Sequence, residues 1–297
     1  MLRNIKNIIK MIYKNVCLII LYICFSVVVT AQITVPITLK ELNEHKRNRD
    51  LISFMKIDMS QTWLYMVKDN VISSNRLLVQ EIYYNKSGLP EKILQYDENQ
   101  KVQSFTIVKY NNNNLPFEEI KFASDSVLIS GVMYKYDEND LLNSQIDYKT
   151  NAEVIAVQNY NRSADSIFVS VLDKNGALIY KNIILLSDTT CNAMIKGMIK
   201  KDKNDTIFEK TVFEYDEFQS LRHKFIYDKN NHGTRRVFVY DEQGALIRAV
   251  TYGDNVKVLS DSSYEYDEYG NVTRVFDYDS ENNTTKVYFI KYLSKID

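Results

Sequence analysis

The residues able to do chemistry in this chain do not converge on a reaction. Its three histidines, His45, His223 and His232, lie far apart. None falls into the His-x-x-x-His or His-Glu-x-x-His spacing that brings two imidazoles to one metal. Cys17 and Cys24 sit in an apolar N-terminal run, which leaves Cys191 without an internal disulfide partner. With no histidine beside it in sequence, Cys191 reads as a small buried hydrophobe rather than a nucleophile. The eight glycines form no phosphate-cradling loop. The acidic runs 137–140 and 202–205 offer oxygen ligands but lack the ligand order and fixed glycine of a dedicated calcium loop. No catalytic, metal or cofactor-binding residue is expected, and no cofactor.

Carboxylates are plentiful, yet they recur at regular intervals, and that regularity points to turn formation rather than paired acid/base work. The recurring unit is Tyr-Asp, at Tyr96, Tyr136, Tyr215, Tyr227, Tyr240, Tyr266 and Tyr278, with Asn replacing Asp after Tyr84, Tyr110 and Tyr160. Degenerate members extend this to a ladder at positions 84, 96, 110, 122, 136, 148, 160 and 172, resuming at 215, 227, 240, 252, 266, 278 and 292. Steps of 12 to 14 residues suit one strand plus one turn. The stretch 173–214 is long enough for three more steps, although the motif is worn there.

Within each rung, thirteen of the fifteen residues two places before the ladder position are apolar, from Ile82 to Ile290. One place before it, eight of fifteen are charged, among them Lys109, Lys121, Lys135, Asp147, Glu214 and Glu265. Alternation of that kind marks a strand with one buried aromatic face and one wetter face. The ladder residue and its i−2 neighbour are therefore expected inside in every rung. At the turns, Asp216, Asp241 and Asp267 can accept backbone amide hydrogens, and Gly244 and Gly270 can take positive φ, as in a type I turn with a G1 bulge. Gly88 and Gly176 hold the same place in their rungs, where Gln100, Asn114, Asp140 and Gln219 stand in elsewhere.

The phrase aromatic-x-Tyr-Asp-Glu-x-Gly-x-Leu/Val, best seen at 264–272 and 238–246, resembles the YD repeat of the Rhs family. That family includes the shells of Rhs and Tc-type toxins and teneurin-like surface proteins. Phe213–Leu221 and Tyr134–Leu141 lack the glycine. The resemblance covers residues 82–292 and implies a spiralling β-sheet and an association with carbohydrate. A toxin-enclosing cocoon would need far more strands than this chain supplies.

Residues 1–15 carry Arg3, Lys6, Lys10 and Lys14 and no acid, and an apolar run of 16 residues follows from Val16 to Ala31. The run is shorter than the roughly 20 residues of a spanning helix, and Val29 and Ala31 suit a cleavage site, so residues 1–31 read as a signal peptide. Its removal takes four of the 37 basic residues and none of the 38 acids, leaving a net charge of −5. That balance excludes a nucleic-acid partner.

Residues 32–80 are expected as an N-terminal cap, with a capping-box helix from Thr38 and with Trp63 plugging an open sheet edge. Residues 81–297 are expected as the repeat domain. The fold class is all-β: a long antiparallel meander of strand-turn repeats, rolled open or spiral, with a small cap. Export places the protein outside the cell or in the envelope, with no stable membrane span once the signal is cleaved. A non-catalytic scaffold binding a glycan or an envelope protein is the expected role. The alternative is a polysaccharide-acting enzyme with carboxylates in the sheet concavity.

Overall fold

The structure, a computed structural model, describes residues 56–68, 71–187, 194–268 and 270–294 together with the single positions 41 and 53. The expected signal peptide, most of the expected helix near Thr38, His45 and Cys191 lie outside the described residues. Eighteen strands account for nearly all of the rest. The first nine are β1 (Ile57–Lys68), β2 (Val71–Tyr84), β3 (Pro90–Tyr96), β4 (Val102–Tyr110), β5 (Pro116–Ala123), β6 (Leu128–Tyr136), β7 (Leu142–Lys149), β8 (Glu153–Arg162) and β9 (Ser166–Asp173). The others are β10 (Leu178–Leu186), β11 (Ile195–Asp202), β12 (Ile207–Tyr215), β13 (Leu221–Asp228), β14 (Gly233–Tyr240), β15 (Leu246–Tyr252), β16 (Val258–Tyr266), β17 (Val272–Asp279) and β18 (Thr284–Ser294). Strands β10–β12 fill the stretch in which the motif is worn.

The strands form one antiparallel sheet in chain order. Its two ends meet: β1 pairs with β2 on one side and with β18 on the other, from Met59 opposite Leu293 to Met66 opposite Lys286. The expectation of an open rolled sheet or spiral is therefore corrected, because the meander closes into a β-barrel. Closure satisfies the backbone donors and acceptors that a free edge would leave unpaired. Residues 57–68 and 71–80, expected as part of a cap, form β1 and most of β2. Trp63 stands in β1 between two paired neighbours, with the Arg76 guanidinium 4.4 Å from its ring centroid, so it plugs no edge.

The described strands fall into two compact units, one of residues 46–103 and 236–297 and one of residues 104–235. In the second, the row Val108–Glu119–Val132–Asp147–Ala156–Asp173 runs strand to strand on one face, since directly opposed residues share a face. Tyr160, Ile167, Val169, Val171 and Ile184 bury themselves there around Leu142. We term this the packed face. The opposite face carries Phe105 against Phe122 and Ile107 against Ile120. In the first unit, Tyr264, Val275 and Tyr288 lie in one row and are buried, while Phe276 and Val287 oppose each other on the other face.

The ladder consequently does not stay on one face. Val108 and Tyr134 are on the packed face, whereas Ile120, Phe122, Ile146 and Tyr148 are on the other. Lys121 and Asp147, expected outside, are on the packed face. The cause is a bulge in most of the hairpins, though β8–β9 and β17–β18 pair without one. In β4–β5, Lys109 opposes Glu118 but Tyr110 opposes Pro116, so Phe117 is an extra residue. One added residue turns an even sequence step into a change of face.

Candidate functional site

The packed face of the 104–235 unit holds a polar cluster assembled from four neighbouring strands. Glu119 of β5 and Asp147 of β7 both oppose Val132 of β6, one on each side. Tyr134, two residues along β6, donates its hydroxyl to Glu119 Oε1 at 2.6 Å. Asp147 accepts Gln145 Nε2 on Oδ1 at 2.8 Å and Gln158 Nε2 on Oδ2 at 3.2 Å. Tyr160 closes the chain with its hydroxyl 3.4 Å from Gln158 Oε1. Burial pushes the Glu119 carboxyl up to about 7, against the opposing pull of the Tyr134 hydrogen bond. Burial, with the Glu119 charge behind it, keeps the Tyr134 hydroxyl protonated far above the usual range.

A second cluster stands in the other unit. Glu81 of β2 accepts Gln61 Nε2 at 2.8 Å on Oε1, and the hydroxyls of Tyr83 at 3.0 Å and Tyr96 at 2.6 Å on Oε2. Burial works to raise the Glu81 carboxyl, but these three donors outweigh it and hold it below the ordinary value. Its acceptor capacity is largely taken up by neighbours.

The repeat residues do structural work. Tyr136, Tyr215, Tyr266 and Tyr292 each donate a hydroxyl hydrogen to the carbonyl oxygen twenty residues earlier, at Pro116, Ile195, Leu246 and Val272. Arg162 Nη2 reaches the Leu142 carbonyl across the same separation. Tyr227 stacks parallel to Phe225, and the Tyr278 hydroxyl meets Asn283 Oδ1 at 3.3 Å. Tyr240 ends β14 just before the Asp241 turn.

The turn acids behave alike. Asp216 Oδ1 accepts the amides of Phe218 and Ser220, Asp241 Oδ1 those of Gln243 and Ala245, and Asp267 Oδ1 that of Asn271. Asp137 and Asp202 make the same paired contacts, so the two acidic runs weighed for calcium are hydrogen-bonded turns. Gly244 and Gly270 both have φ of 82°. Among the described residues, no group of three or more His, Cys, Asp or Glu side chains is arranged to hold a metal ion. His223 Nδ1 lies 3.0 Å from Glu214 Oε2 on the face opposite the packed one.

No protein-family model matches the chain, and no curated protein matches it. Among solved structures, the chain is similar to a porin-like protein from Bacteroides uniformis ATCC 8492, at 10% identity and a TM-score of 0.40, over 80% of this chain and 98% of that one. A porin-like protein from Bacteroides vulgatus ATCC 8482 is similar at 11% identity and 0.31, over 68% and 94%. The Photorhabdus luminescens Tc holotoxin pore is similar at 13% identity and 0.17, over 72% of this chain but 14% of that one. Likenesses this distant carry no argument about activity.

The YD-repeat resemblance to the Rhs family is corrected on the same grounds. No model of that family matches, and the strands close into a barrel instead of continuing as a spiral. The Tyr-Asp recurrence has a local cause. Asp caps the hairpin turn, and at every second turn the Tyr in front of it can tie its strand to the one before.

The polar cluster escaped the sequence reading because Asp147 occupies the charged i−1 place of its rung, as Lys121 on the same face does. Counting the bulge residue into each turn would have moved them to the packed face.

Proposed function

We propose that the protein is an exported, non-catalytic binding protein of the cell envelope or extracellular space, with a glycan or an envelope protein as its partner. The observation that carries this reading is the state of the packed-face acids. Both Asp147 oxygens already accept amide hydrogens, and Glu119 is held by Tyr134. Groups fixed in this way rigidify a framework, whereas a general base needs a lone pair aimed at a reactant. Charged side chains also stand within the strands, where lipid would penalise them. Lys181, Lys201 and Lys210 stand within strands on the face opposite the packed one, and Arg248 pairs with Asp261 on β15 and β16. At a bilayer midplane each such Lys or Arg would cost a β-barrel about 2–4 kcal/mol.

One observation favours the enzymatic reading. Glu119 and Asp147 share a row two strands apart, about 10 Å at the usual strand spacing, and burial raises the Glu119 carboxyl. A raised acid facing a second carboxylate is the arrangement of an inverting glycoside hydrolase. A panel of envelope polysaccharides assayed for retention and for sugar release separates the two. Retention without release, unchanged in Glu119→Gln and Asp147→Asn, supports binding alone. Release abolished by either substitution overturns it.

A further inference from the structure

In the unit of residues 46–103 and 236–297, aromatic rings collect on the face turned away from the buried row of Tyr264, Val275 and Tyr288. Trp63 of β1 stands opposite Leu78 of β2 and Phe289 of β18, and Tyr65 stands opposite Arg76 and Val287. Across the next pairing, Phe289 opposes Arg274 and Val287 opposes Phe276 on β17, so these side chains share one face. Tyr65 meets Phe289 edge-on, with 4.7 Å between the centroids. Trp63 (the only Trp in the chain), Tyr65, Phe276 and Phe289 are all half-buried. A sheet that already buries its other side does not need four neighbouring rings here, and apolar surface gathered in this way marks a site of binding.

Two guanidinium groups lie on those rings. Arg76 sits 4.4 Å from the Trp63 centroid, and Arg274 sits 4.5 Å from that of Phe289 and 5.7 Å from that of Phe276. Each acid that the printed strand pairs place on this face is engaged. Arg274 Nη1 pairs with Glu265 Oε2 at 2.9 Å, Arg248 pairs with Asp261, and Glu81 accepts Gln61, Tyr83 and Tyr96. Arg76 is exposed, and among the described residues it has no carboxylate within ion-pair reach. Its fork of N–H donors is open to a ligand, while the contact with Trp63 holds it in place.

We propose that this face binds a uronate-bearing polysaccharide, with the C–H faces of its sugar rings on Tyr65, Trp63 and Phe289 and a carboxylate on Arg76. The inference rests on the glycan branch of the binding reading above and gives it a place and a ligand class. A planar guanidinium takes a carboxylate through two parallel hydrogen bonds, and one already held on a ring loses less freedom when it does so. The unmatched charge of Arg76 is what asks for an acidic glycan over a neutral one. An extended acidic peptide is disfavoured, because β1, β2, β17 and β18 each pair on both sides and leave it no strand edge to join. A sugar ring needs no such edge.

The test is a titration of the purified protein with polygalacturonate, read by Trp63 fluorescence and by retention in affinity gels. The expected result is a saturable change in Trp63 emission, weakened by added salt, and retention by polygalacturonate but not by neutral dextran. Arg76→Gln should weaken binding about tenfold or more with circular dichroism unchanged. Arg76→Lys, which keeps the charge and loses the fork, should fall between that variant and the wild type. Arg248→Gln, whose guanidinium is already paired, should bind as the wild type does. Retention that survives Arg76→Gln with Trp63 emission unmoved overturns the site and leaves the glycan reading standing, since the polymer then binds elsewhere. No retention by polygalacturonate overturns the uronate ligand, and no retention by any polysaccharide of the envelope panel removes the glycan reading as well. Binding of poly-glutamate as tight as that of polygalacturonate, and equally weakened by Arg76→Gln, also overturns the proposal and assigns the face to an acidic protein.

Discussion

The Tyr215 hydroxyl donates a 2.8 Å hydrogen bond to the carbonyl oxygen of Ile195, at the start of the neighbouring β-strand and twenty residues earlier in the chain. This contact joins the last residue of β12 to the first of β11, and Tyr136, Tyr266 and Tyr292 make it to the first residues of β5, β15 and β17. It explains why the repeat uses tyrosine there, since phenylalanine would fill the space but leave the carbonyl without its donor.

Tyr215→Phe should therefore destabilise the chain by about 1–2 kcal/mol, the range for losing a part-buried hydrogen bond and leaving its acceptor unpaired. Tyr227→Phe, on the face opposite the packed one in the next strand, keeps the stacking on Phe225 and should cost less than about 0.5 kcal/mol. Urea denaturation of the two variants measures the difference. Equal losses would mean that the hydroxyl contact contributes nothing.

The turn geometry makes a prediction with opposite signs at two matched positions. Gln219 has φ of 62° and Gly244 φ of 82°, each closing a turn opened by an aspartate. A left-handed conformation costs a residue with a Cβ about 1–2 kcal/mol, partly offset by the greater unfolded freedom of glycine. Gln219→Gly should stabilise by about 0.5–1 kcal/mol, and Gly244→Val should destabilise by more than about 1 kcal/mol. Thermal unfolding of both variants gives the signs directly.

Gly131 and Tyr148 face each other on β6 and β7, and a Cβ placed on Gly131 would lie 2.2 Å from the Tyr148 ring. Tyr148 is buried over this glycine, with its hydroxyl 3.1 Å from Glu118 Oε1. Gly131→Ala must displace the ring and should cost about 1–3 kcal/mol, as overpacking does elsewhere. The double variant Gly131→Ala, Tyr148→Ala should cost less than the sum of the single changes. Additivity in that denaturation cycle would contradict the packing described.

The strand and turn positions were legible because they rest on local chemistry: Asp accepting amides two and four residues on, and Gly at positive φ. The facing was not, although its cause was in plain sight. A bulge in the strand just past the turn adds one residue in most hairpins, so steps of 12 or 14 carry Phe122 and Tyr148 to the face opposite Val108 and Tyr134. The working period is two strands, as Tyr110, Tyr136, Tyr240, Tyr266 and Tyr292 show by their spacing. Barrel closure had no local signal at all. Nothing in Thr62 or Trp63 announces that Ile290 and Phe289 will stand opposite them, since that pairing spans almost the whole described chain. The polar cluster fell between these cases, readable only once the bulge was counted.

Glu119 gives the last prediction, a pH dependence whose sign follows from burial. The folded chain holds the Glu119 proton up to about 7, whereas an ordinary glutamate releases it near 4.5. Between those values the folded state binds more protons than the unfolded one, so stability falls as pH rises through this window and levels off above it. The full difference is about 3 kcal/mol, since each tenfold change in proton affinity is worth about 1.4 kcal/mol. Glu119→Gln keeps an acceptor for the Tyr134 hydroxyl and carries no titrating proton. It should match the wild type near about pH 4 and exceed it above about pH 7, by an amount approaching that difference. Denaturant titrations across this range test it. A wild-type profile that rises or stays flat between about pH 5 and 7 relative to Glu119→Gln would show that Glu119 is ionised in place, with solvent or Lys121 meeting its charge.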